Sequence, residues 1–442
     1  MISSKQALTP SRKSSWRSRG FFLWAFLPLL FSCAGNHYTL RLVSNEPTES
    51  LAESPLKILV ASDLHYLEPS LSDNGALFTK TTTDADAKLT AYSGQILAAF
   101  LAKVKEAKPD ALFLTGDLTF NGEKLSHESL ASFLKELTAL GIAVLVIPGN
   151  HDIASDEAYS YAGDHYQNVA NVSPNEFLKI YAEVSYQKAI SFDELSLSYV
   201  YPLRKDAWVL ALSADGDPSE RGIIPTSTEK WIVEELKKAK EAGAHVYSLT
   251  HESLLLQNEN FVSSLIHNAG EVASLLMENG VIGNSSGHLH IQHYAEKKAL
   301  VDIATSSLLV APFHYGEIDW DATSLSYHSQ NLDVSSYAKS VGWSDPHLLD
   351  LTNYGKEFFY RTNETRIRSR LEGSGYSDLD KEAMVQSYLQ LNYDYYQGLK
   401  TDETLYPTGY ALWKASNLSF SRYVKSMMAC DDQDFNSYRN SF

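Results

Sequence analysis

The chain has 442 residues, enough for one large domain with a smaller one attached, and its hydrophobic content of 44% is ordinary for a globular protein. It carries 37 lysines and arginines against 54 aspartates and glutamates, a formal net charge of −17. A body this acidic repels polyanions, which argues against a nucleic-acid polymer as a partner. A small phosphorylated substrate stays compatible, because bound metal ions dominate the local field.

Residues 1–32 have the features of a secretory signal peptide. Five basic residues precede an apolar run at 21–31 that is too short to span a bilayer comfortably. The run ends in a sequence that resembles the bacterial lipoprotein cleavage box, Leu30-Phe31-Ser32-Cys33, although Phe31 departs from the usual small or aliphatic residue. That resemblance implies lipid on Cys33 and a protein held at the extracytoplasmic face of the cell membrane. An uncleaved anchor and an ordinary signal peptide are the alternatives. Export is the prediction under all three interpretations.

The next segment, 33–55, is rich in Ser, Asn, Glu and Pro and is predicted to be a flexible tether. Apolar runs then alternate with amphipathic stretches. Strands are predicted at 56–62, 111–115 and 142–147, with helices at 88–107 and 125–140. Right-handed crossovers would bring these strands into one partly parallel sheet.

A second set of elements follows a Tyr-, Asp- and Asn-rich stretch at 154–173, which is predicted to be a loop over the site. Antiparallel strands are predicted at 196–202 and 207–213, a helix at 228–242, and strands at 244–250, 281–285 and 293–303. The sheets are therefore mixed and the helices lie outside them. This pattern predicts an α/β fold, a mixed β-sandwich flanked by helices.

Beyond about residue 315 the pattern changes to Tyr-rich stretches that look mainly helical, at 332–341, 355–371, 381–399 and 404–425. We therefore predict a catalytic domain at 56–315 and a helical accessory region at 316–442. The second cysteine, Cys430, has no partner within the chain if Cys33 carries lipid, so no structural disulfide is expected.

Five short segments place metal-binding side chains directly after predicted strands. They are Asp63-Leu64-His65, Gly116-Asp117, Gly149-Asn150-His151-Asp152, His251 and Gly287-His288-Leu289-His290. Ligands collect at the carboxyl ends of strands in open α/β sheets, so these side chains are expected to converge. Carboxylate, amide oxygen and imidazole suit hard and borderline divalent metals, and the set is large enough for two ions.

In this order, the segments resemble the motifs of the calcineurin-like metallophosphoesterases over about residues 56–315. The match looks closest to bacterial members related to class III cyclic nucleotide phosphodiesterases, including the stretch Gly116-Asp117-Leu118-Thr119-Phe120-Asn121-Gly122-Glu123. The helical tail is similar to the C-terminal region of some of those proteins. The resemblance implies an α/β/β/α sandwich that binds two divalent or transition metal ions. The nitrogen and oxygen ligands permit Fe, Mn, Zn or Ni and leave the choice among them open.

The resemblance also implies a role for each ligand. One ion would be held by Asp63, His65 and His290, and the second by Asn150, His251 and His288. Asp117 would bridge the pair. None of the seven positions is missing, which favours an intact site over a degenerate one.

The implied catalytic residue is His151, which would face the substrate phosphate instead of binding metal. A metal-bridging hydroxide would attack phosphorus in line with the leaving oxygen. As an imidazolium, His151 would stabilise developing charge or protonate the departing alkoxide. Asp152 is expected to orient His151 or a metal-binding histidine.

The sequence thus predicts a metal-dependent phosphoesterase with a small phosphorylated substrate. A phosphodiester is favoured over a monoester, and by resemblance a cyclic nucleotide is the leading candidate. Export fits poorly with a purely intracellular signalling substrate, so extracellular nucleotides, phospholipid headgroups and cell-wall phosphodiesters stay open. The alternatives are a phosphomonoesterase or nucleotidase with the same metals, and a surface binding protein whose metal site is vestigial. Composition and motifs say nothing of the oligomeric state.

Overall fold

The computed structural model describes residues 38–43, 46–83, 87–430 and 433–442, which form one compact unit. The predicted signal peptide at 1–32 and Cys33 lie outside these residues. The strands are β1 (Leu56–Ala61), β2 (Ala111–Leu114), β3 (Ala143–Val146), β4 (Tyr159–Ala162), β5 (His165–Asn168), β6 (Ser191–Phe192), β7 (Tyr199–Arg204), β8 (Ala207–Ala211), β9 (His245–Leu249), β10 (Asn284–Ser286), β11 (His293–Lys297), β12 (Leu300–Ala304), β13 (His314–Trp320), β14 (Ser324–Asn331) and β15 (Ser437–Ser441).

The helices alternate with these strands up to residue 278 and then dominate the chain from residue 334. They are α1 (Ala76–Thr83), α2 (Ser93–Ala107), α3 (Lys124–Ala139), α4 (Pro174–Tyr181), α5 (Thr226–Ala242), α6 (Ala269–Glu278), α7 (Val334–Ser340), α8 (Pro346–Leu349), α9 (Leu351–Leu371), α10 (Asp378–Tyr396), α11 (Pro407–Ala415) and α12 (Ser421–Met428). No helix in the described part of the chain is both long and apolar enough to cross a membrane.

The first sheet has the strand order β15-β14-β13-β1-β2-β3. Its β1, β2 and β3 are parallel, with Val60 opposite Phe113 and Phe113 opposite Leu145. These strands are almost entirely apolar and buried on both faces, as parallel strands covered by crossover helices must be. Their parallel course places three carboxyl ends at one edge.

The second sheet has the order β11-β12-β10-β9-β8-β7-β6. Neighbours among β8, β9, β10 and β12 run parallel, and β7 pairs with β8 antiparallel, as the sequence predicted. The stretch 154–173, predicted to be a loop, contains the hairpin β4-β5. The parallel pair β9 and β10 brings two more carboxyl ends together.

The two sheets pack face to face. The rings of Phe113 and Tyr247, one from each sheet, lie 6.3 Å apart, and the Tyr199 hydroxyl donates to the carbonyl oxygen of Val146 at 2.9 Å. Apolar side chains of α2 and α3 join the core of the first sheet, and those of α5 and α6 cover the second. The predicted mixed sandwich flanked by helices is therefore confirmed.

The first sheet continues past residue 315, where the sequence predicted only helices. In β13, Ile318 and Trp320 are buried while Glu317 and Asp319 face outward, which is the alternation of a half-buried strand. The two acidic residues interrupt the apolar run by which the other strands were recognised. The helical region itself is confirmed, since α7 to α12 lie within residues 334–428.

The helices α9 to α12 enclose a hydrophobic core of their own, which includes the buried side chains of Met384, Leu391 and Trp413. Leu289 and Ile291 from the catalytic region belong to the same core. The helical region is therefore packed against the segment that carries the last two candidate ligands.

Candidate metal centre

The five segments singled out in the sequence meet at one end of the sandwich. Three of them follow β1, β2 and β3 of the first sheet, and the other two follow β9 and β10 of the second. The two sheets are joined at this end, because the Leu308 amide donates to the carbonyl oxygen of Ser62 at 3.1 Å and the Ser307 hydroxyl to that of Asp63 at 2.9 Å. Residues far apart in sequence thereby face one another.

One group consists of Asp63, His65, Asp117 and His290, all buried, with candidate ligand atoms within 4.8 Å of one another. The Nε2 atoms of His65 and His290 lie 3.2 Å apart, and Nε2 of His290 is 3.3 Å from Oδ1 of Asp63. Two imidazole nitrogens and two carboxylates that converge in this way form a suitable donor set for a transition metal ion.

A second group lies beside the first. The side-chain oxygen of Asn150 is 3.1 Å from Nε2 of His251 and 3.0 Å from Nδ1 of His288. The backbone amide of His288 donates to Oδ2 of Asp63 at 3.0 Å, which ties the two groups together. An amide oxygen with two imidazoles is again a set of borderline ligands.

Asp117, a member of the first group, also faces the second. Its Oδ2 is 3.7 Å from Nε2 of His65, and its Oδ1 is 3.4 Å from Nε2 of His251. Burial by itself would raise the pKa of Asp117, but His251 and His151 outweigh it and hold the pKa well below its usual value. Asp117 is thus an ionised carboxylate with one oxygen turned to each group.

The orientation of His251 and the charge state of His65 both suit a metal ligand. Nδ1 of His251 lies 2.8 Å from the carbonyl oxygen of Thr115, so it donates there and Nε2 faces the site. Burial and the Lys88 ammonium lower the pKa of His65 well below its usual value, which keeps the ring neutral. A neutral imidazole is the form that binds a metal ion.

Backbone strain is concentrated in these segments. Positive φ angles, rare outside glycine, occur at five of the seven predicted ligands: Asp63 (51°), His65 (37°), Asp117 (47°), His288 (65°) and His290 (57°). Each such residue costs about 1–3 kcal/mol and persists only where surrounding contacts enforce it. At Gly149, a Cβ atom would lie 2.4 Å from the amide nitrogen of Asp117, so a side chain there would separate the two loops.

His151 lies beside both groups at the solvent-facing edge. Its side chain is 34% exposed, and its Nε2 is 4.0 Å from Oδ2 of Asp117. Nδ1 lies 2.7 Å from the side-chain oxygen of Asn121, so Nδ1 carries a proton and donates it to the amide. Its backbone amide also donates to Oδ1 of Asp117 at 2.9 Å. The ring is therefore held with Nε2 toward the site.

Among the described residues, the carboxylate of Asp152 bonds neither His151 nor a metal-binding histidine, contrary to the expectation from the sequence. Its carboxylate accepts from the backbone amides of Leu118 (3.0 Å), Thr119 (2.9 Å) and Gly149 (2.9 Å). The residue therefore clamps the loop after β2 to the loop after β3. The partner that orients His151 is Asn121, which lies in the stretch 116–123 after β2.

Two basic residues at the site escaped the sequence motifs. The buried Lys88 places Nζ 3.3 Å from Nε2 of His65. Arg221 donates to the backbone carbonyls of Asn150, Ile153 and Ala154 and so covers the loop after β3. Neither follows a strand or belongs to a motif, and no local pattern in the sequence distinguishes them from surface cations.

The fold and the donor set define a class of metal-dependent hydrolases built on a two-sheet sandwich. Within that class, the sequence profile described as calcineurin-like phosphoesterase matches residues 56–292, and the chain belongs to this family. A second profile, described as the C-terminal domain of cyclic nucleotide phosphodiesterase, matches residues 333–434. The family and the buried Asp-His-Asp-His cluster support the hydrolysis of a phosphoric ester with bound metal.

Among solved structures, similar chains include a dimetal phosphatase from Danio rerio, at 12% identity and a TM-score of 0.47, with 62% of this chain and 96% of that chain covered. A predicted phosphoesterase from Streptococcus pneumoniae has 14% identity and a TM-score of 0.27, covering 64% and 92%. GAP50, the anchor in the inner membrane complex of Plasmodium, has 10% identity and a TM-score of 0.37, covering 63% and 84%. With TM-scores below 0.5, these likenesses carry no argument about substrate. None of the curated proteins compared with the chain matches it.

Proposed function

We propose that the protein is a phosphodiesterase that uses two metal ions. The observation that supports two ions is Asp117, whose two carboxylate oxygens face separate ligand groups. Asp63, His65 and His290 would hold one ion, and Asn150, His251 and His288 the other, with Asp117 shared. Fe, Mn and Zn all suit these nitrogen and oxygen donors.

When bound, the ions supply a water of lowered pKa and neutralise charge on the phosphoryl oxygens. The protein's own contribution lies in His151. Its Nδ1 donates a hydrogen bond to the side-chain oxygen of Asn121, so Nε2 is the atom directed to the reacting group. In its imidazolium form, Nε2–H donates a proton to the departing oxygen. The exposed edge of His151 also gives the leaving group a path to solvent.

Monoesters and diesters of alcohols both release an alkoxide, which His151 is placed to protonate, so the preference for a diester rests on the family resemblance. The profile match at residues 333–434, described as belonging to cyclic nucleotide phosphodiesterases, supports a cyclic nucleotide as the leading candidate. The net charge of −17 argues against a polymeric nucleic acid as the substrate. Extracellular nucleotides, phospholipid headgroups and cell-wall phosphodiesters are the other diester classes to screen.

The experiment compares turnover and metal content in the full chain. Wild type is expected to bind two ions per chain and to hydrolyse bis(p-nitrophenyl) phosphate faster than p-nitrophenyl phosphate. Asp117→Asn and His251→Ala are expected to lose turnover and at least one ion. Asp319→Asn and His328→Ala, at exposed positions on β13 and β14, serve as matched controls that keep both.

Two results would replace this proposal. A strong preference for p-nitrophenyl phosphate would make the protein a phosphomonoesterase or nucleotidase. Unchanged turnover in Asp117→Asn and His251→Ala would show that the metal centre is vestigial. Repeating the assay with added Fe, Mn and Zn identifies the metal.

We also propose that the protein is exported and carries lipid on Cys33, at the extracytoplasmic face of the cell membrane. The proposal rests on the basic and apolar segments of residues 1–32 and on the cleavage-box resemblance. Incorporation of labelled lipid into wild type but not into Cys33→Ala is expected. Equal labelling of the two proteins would rule out this anchor.

A further inference from the structure

Lys88 brings a positive charge into the metal centre from outside the ligand segments. Its side chain is buried, and Nζ lies 3.3 Å from Nε2 of His65. The backbone is fixed beside it, because the amide of Leu89 donates to the carbonyl oxygen of Leu309 at 2.9 Å. The ammonium is therefore held at the cluster by the fold.

Lys88 contacts Nε2 of His65, the atom with which this histidine would bind the metal ion. An ammonium only donates, so Nε2 of His65 accepts its hydrogen bond. The same nitrogen faces Oδ2 of Asp117 at 3.7 Å and Nε2 of His290 at 3.2 Å. Its lone pair cannot serve an ammonium and a metal ion together. Metal binding at His65 therefore redirects a donor of Lys88 to a neighbouring oxygen.

The reaction supplies that oxygen. Once cations occupy the cluster, an ammonium beside them is stabilised by any anion bound in the same place, and a phosphoryl group is such an anion. His151 also lies next to His65, and the centres of the two rings are 5.2 Å apart. Lys88 and His151 thus both lie next to His65, where the substrate phosphate is expected.

We propose that Lys88 binds a phosphoryl oxygen of the substrate and stabilises the charge that it carries in the transition state. This inference rests on the proposed function of the site. Lys88 acts as a compact point charge with several donors, which suits an oxygen that moves as phosphorus changes geometry. Since the contact needs only a phosphoryl oxygen, inorganic phosphate is bound by the same ammonium.

The test measures phosphate binding as well as turnover. Full-length wild type, Lys88→Met and Lys88→Gln are loaded with metal, and the metal content of each is measured. Titration calorimetry with inorganic phosphate then gives the Kd. A charge-assisted hydrogen bond lost at this position is expected to weaken phosphate binding by roughly 10- to 100-fold and to lower kcat/KM for bis(p-nitrophenyl) phosphate by at least as much.

Lys105→Met is the matched control. Lys105 lies on α2 with a side chain that is 41% exposed, and it pairs with Glu136 at 2.7 Å, away from the ligand segments. The phosphate affinity and turnover of the Lys105→Met variant are expected to equal those of wild type. Lys88→Gln keeps a polar side chain and provides the measurement if Lys88→Met fails to fold.

The outcomes separate this inference from the proposed function. Wild-type phosphate affinity in metal-loaded Lys88 variants would overturn the inference. So would variants that lose metal and recover full phosphate affinity at saturating metal, because Lys88 would then only support His65. If wild type hydrolyses no diester and yet binds phosphate more tightly than the Lys88 variants, the proposed function fails and the phosphate contact stands.

Discussion

The backbone amide of Gln292 donates a hydrogen bond of 3.0 Å to the carbonyl oxygen of Tyr396, the last residue of α10. Gln292 comes two residues after His290, and its side-chain amide also donates to the carbonyl oxygen of Phe435 at 3.0 Å. The buried side chains of Leu289 and Ile291 alternate with the two histidines and enter the core of the helical region. This region therefore supports the loop that carries two predicted ligands.

Replacing Ile291 with Ala tests that support. Truncation of a buried aliphatic side chain costs about 2–5 kcal/mol, and here the truncated residue is the next in the chain after His290. The variant is expected to unfold at a lower temperature and to bind metal more weakly than wild type. Thermal unfolding and metal titration measure the two effects.

Met384→Ala is the control, because Met384 is fully buried in the same helical core but lies on α10, away from the loop. It is expected to lose similar stability and to keep wild-type metal affinity. If the two variants lost metal affinity equally, the effect would come from global destabilisation and the helical region would have no specific role at the loop.

Whether a site residue was predictable from the sequence depends on how that residue reaches the site. Asp63, Asp117, Asn150 and His251 were predictable because each closely follows an apolar strand, and parallel strands end at a common edge. His288 follows the short polar strand β10 and was recognised within the segment Gly287-His288-Leu289-His290. Lys88 and Arg221 reach the site from irregular segments, whose course depends on tertiary packing. The role of Asp152 was misassigned because three of its four hydrogen-bond donors are backbone amides, which the sequence does not reveal.

His151→Asn tests the proton-donating role. The variant is expected to retain both metal ions and to lose about 10²–10⁴ in kcat on a substrate with an alkoxide leaving group. The loss should be much smaller with p-nitrophenolate, which departs without protonation. Equal losses on the two kinds of substrate would show that His151 acts only through its charge.

Asn121→Leu tests how His151 is oriented. The variant removes the acceptor that lies 2.7 Å from Nδ1, so the ring gains freedom to turn Nε2 away from the site. We expect kcat to fall about 10- to 100-fold, the cost typical of losing a residue that orients a functional histidine, with metal content unchanged. The loss should be smaller with a p-nitrophenolate leaving group, which departs without the proton that a correctly oriented His151 delivers. A wild-type kcat on both kinds of substrate would leave Asn121 without a positioning role.

Arg221→Met tests the clamp over the loop after β3. The guanidinium donates to three backbone carbonyls in this loop, including that of Asn150 itself. Without these bonds the loop should exchange amide hydrogens faster, and metal affinity at the group that contains Asn150 should fall about 10- to 100-fold. Arg361→Met, at an exposed position of α9, is the control. Unchanged exchange and unchanged metal affinity in Arg221→Met would show that backbone packing alone holds the loop.

Glu123 predicts how stability depends on pH. It immediately precedes α3 and is fully buried; this burial raises the pKa of its carboxyl from 4.5 to about 7. Between these values the folded protein binds a proton that the unfolded chain has lost, so the free energy of unfolding falls as pH rises from about 4.5 to about 7. A shift of this size corresponds to roughly 3 kcal/mol.

Glu123→Gln is neutral at every pH and should remove this part of the slope, whereas Glu128→Gln, exposed on the same helix, should leave it in place. Denaturant unfolding at pH 5, 6 and 7 measures the difference, and parallel slopes in wild type and Glu123→Gln would show that Glu123 titrates alike in the folded and unfolded chains.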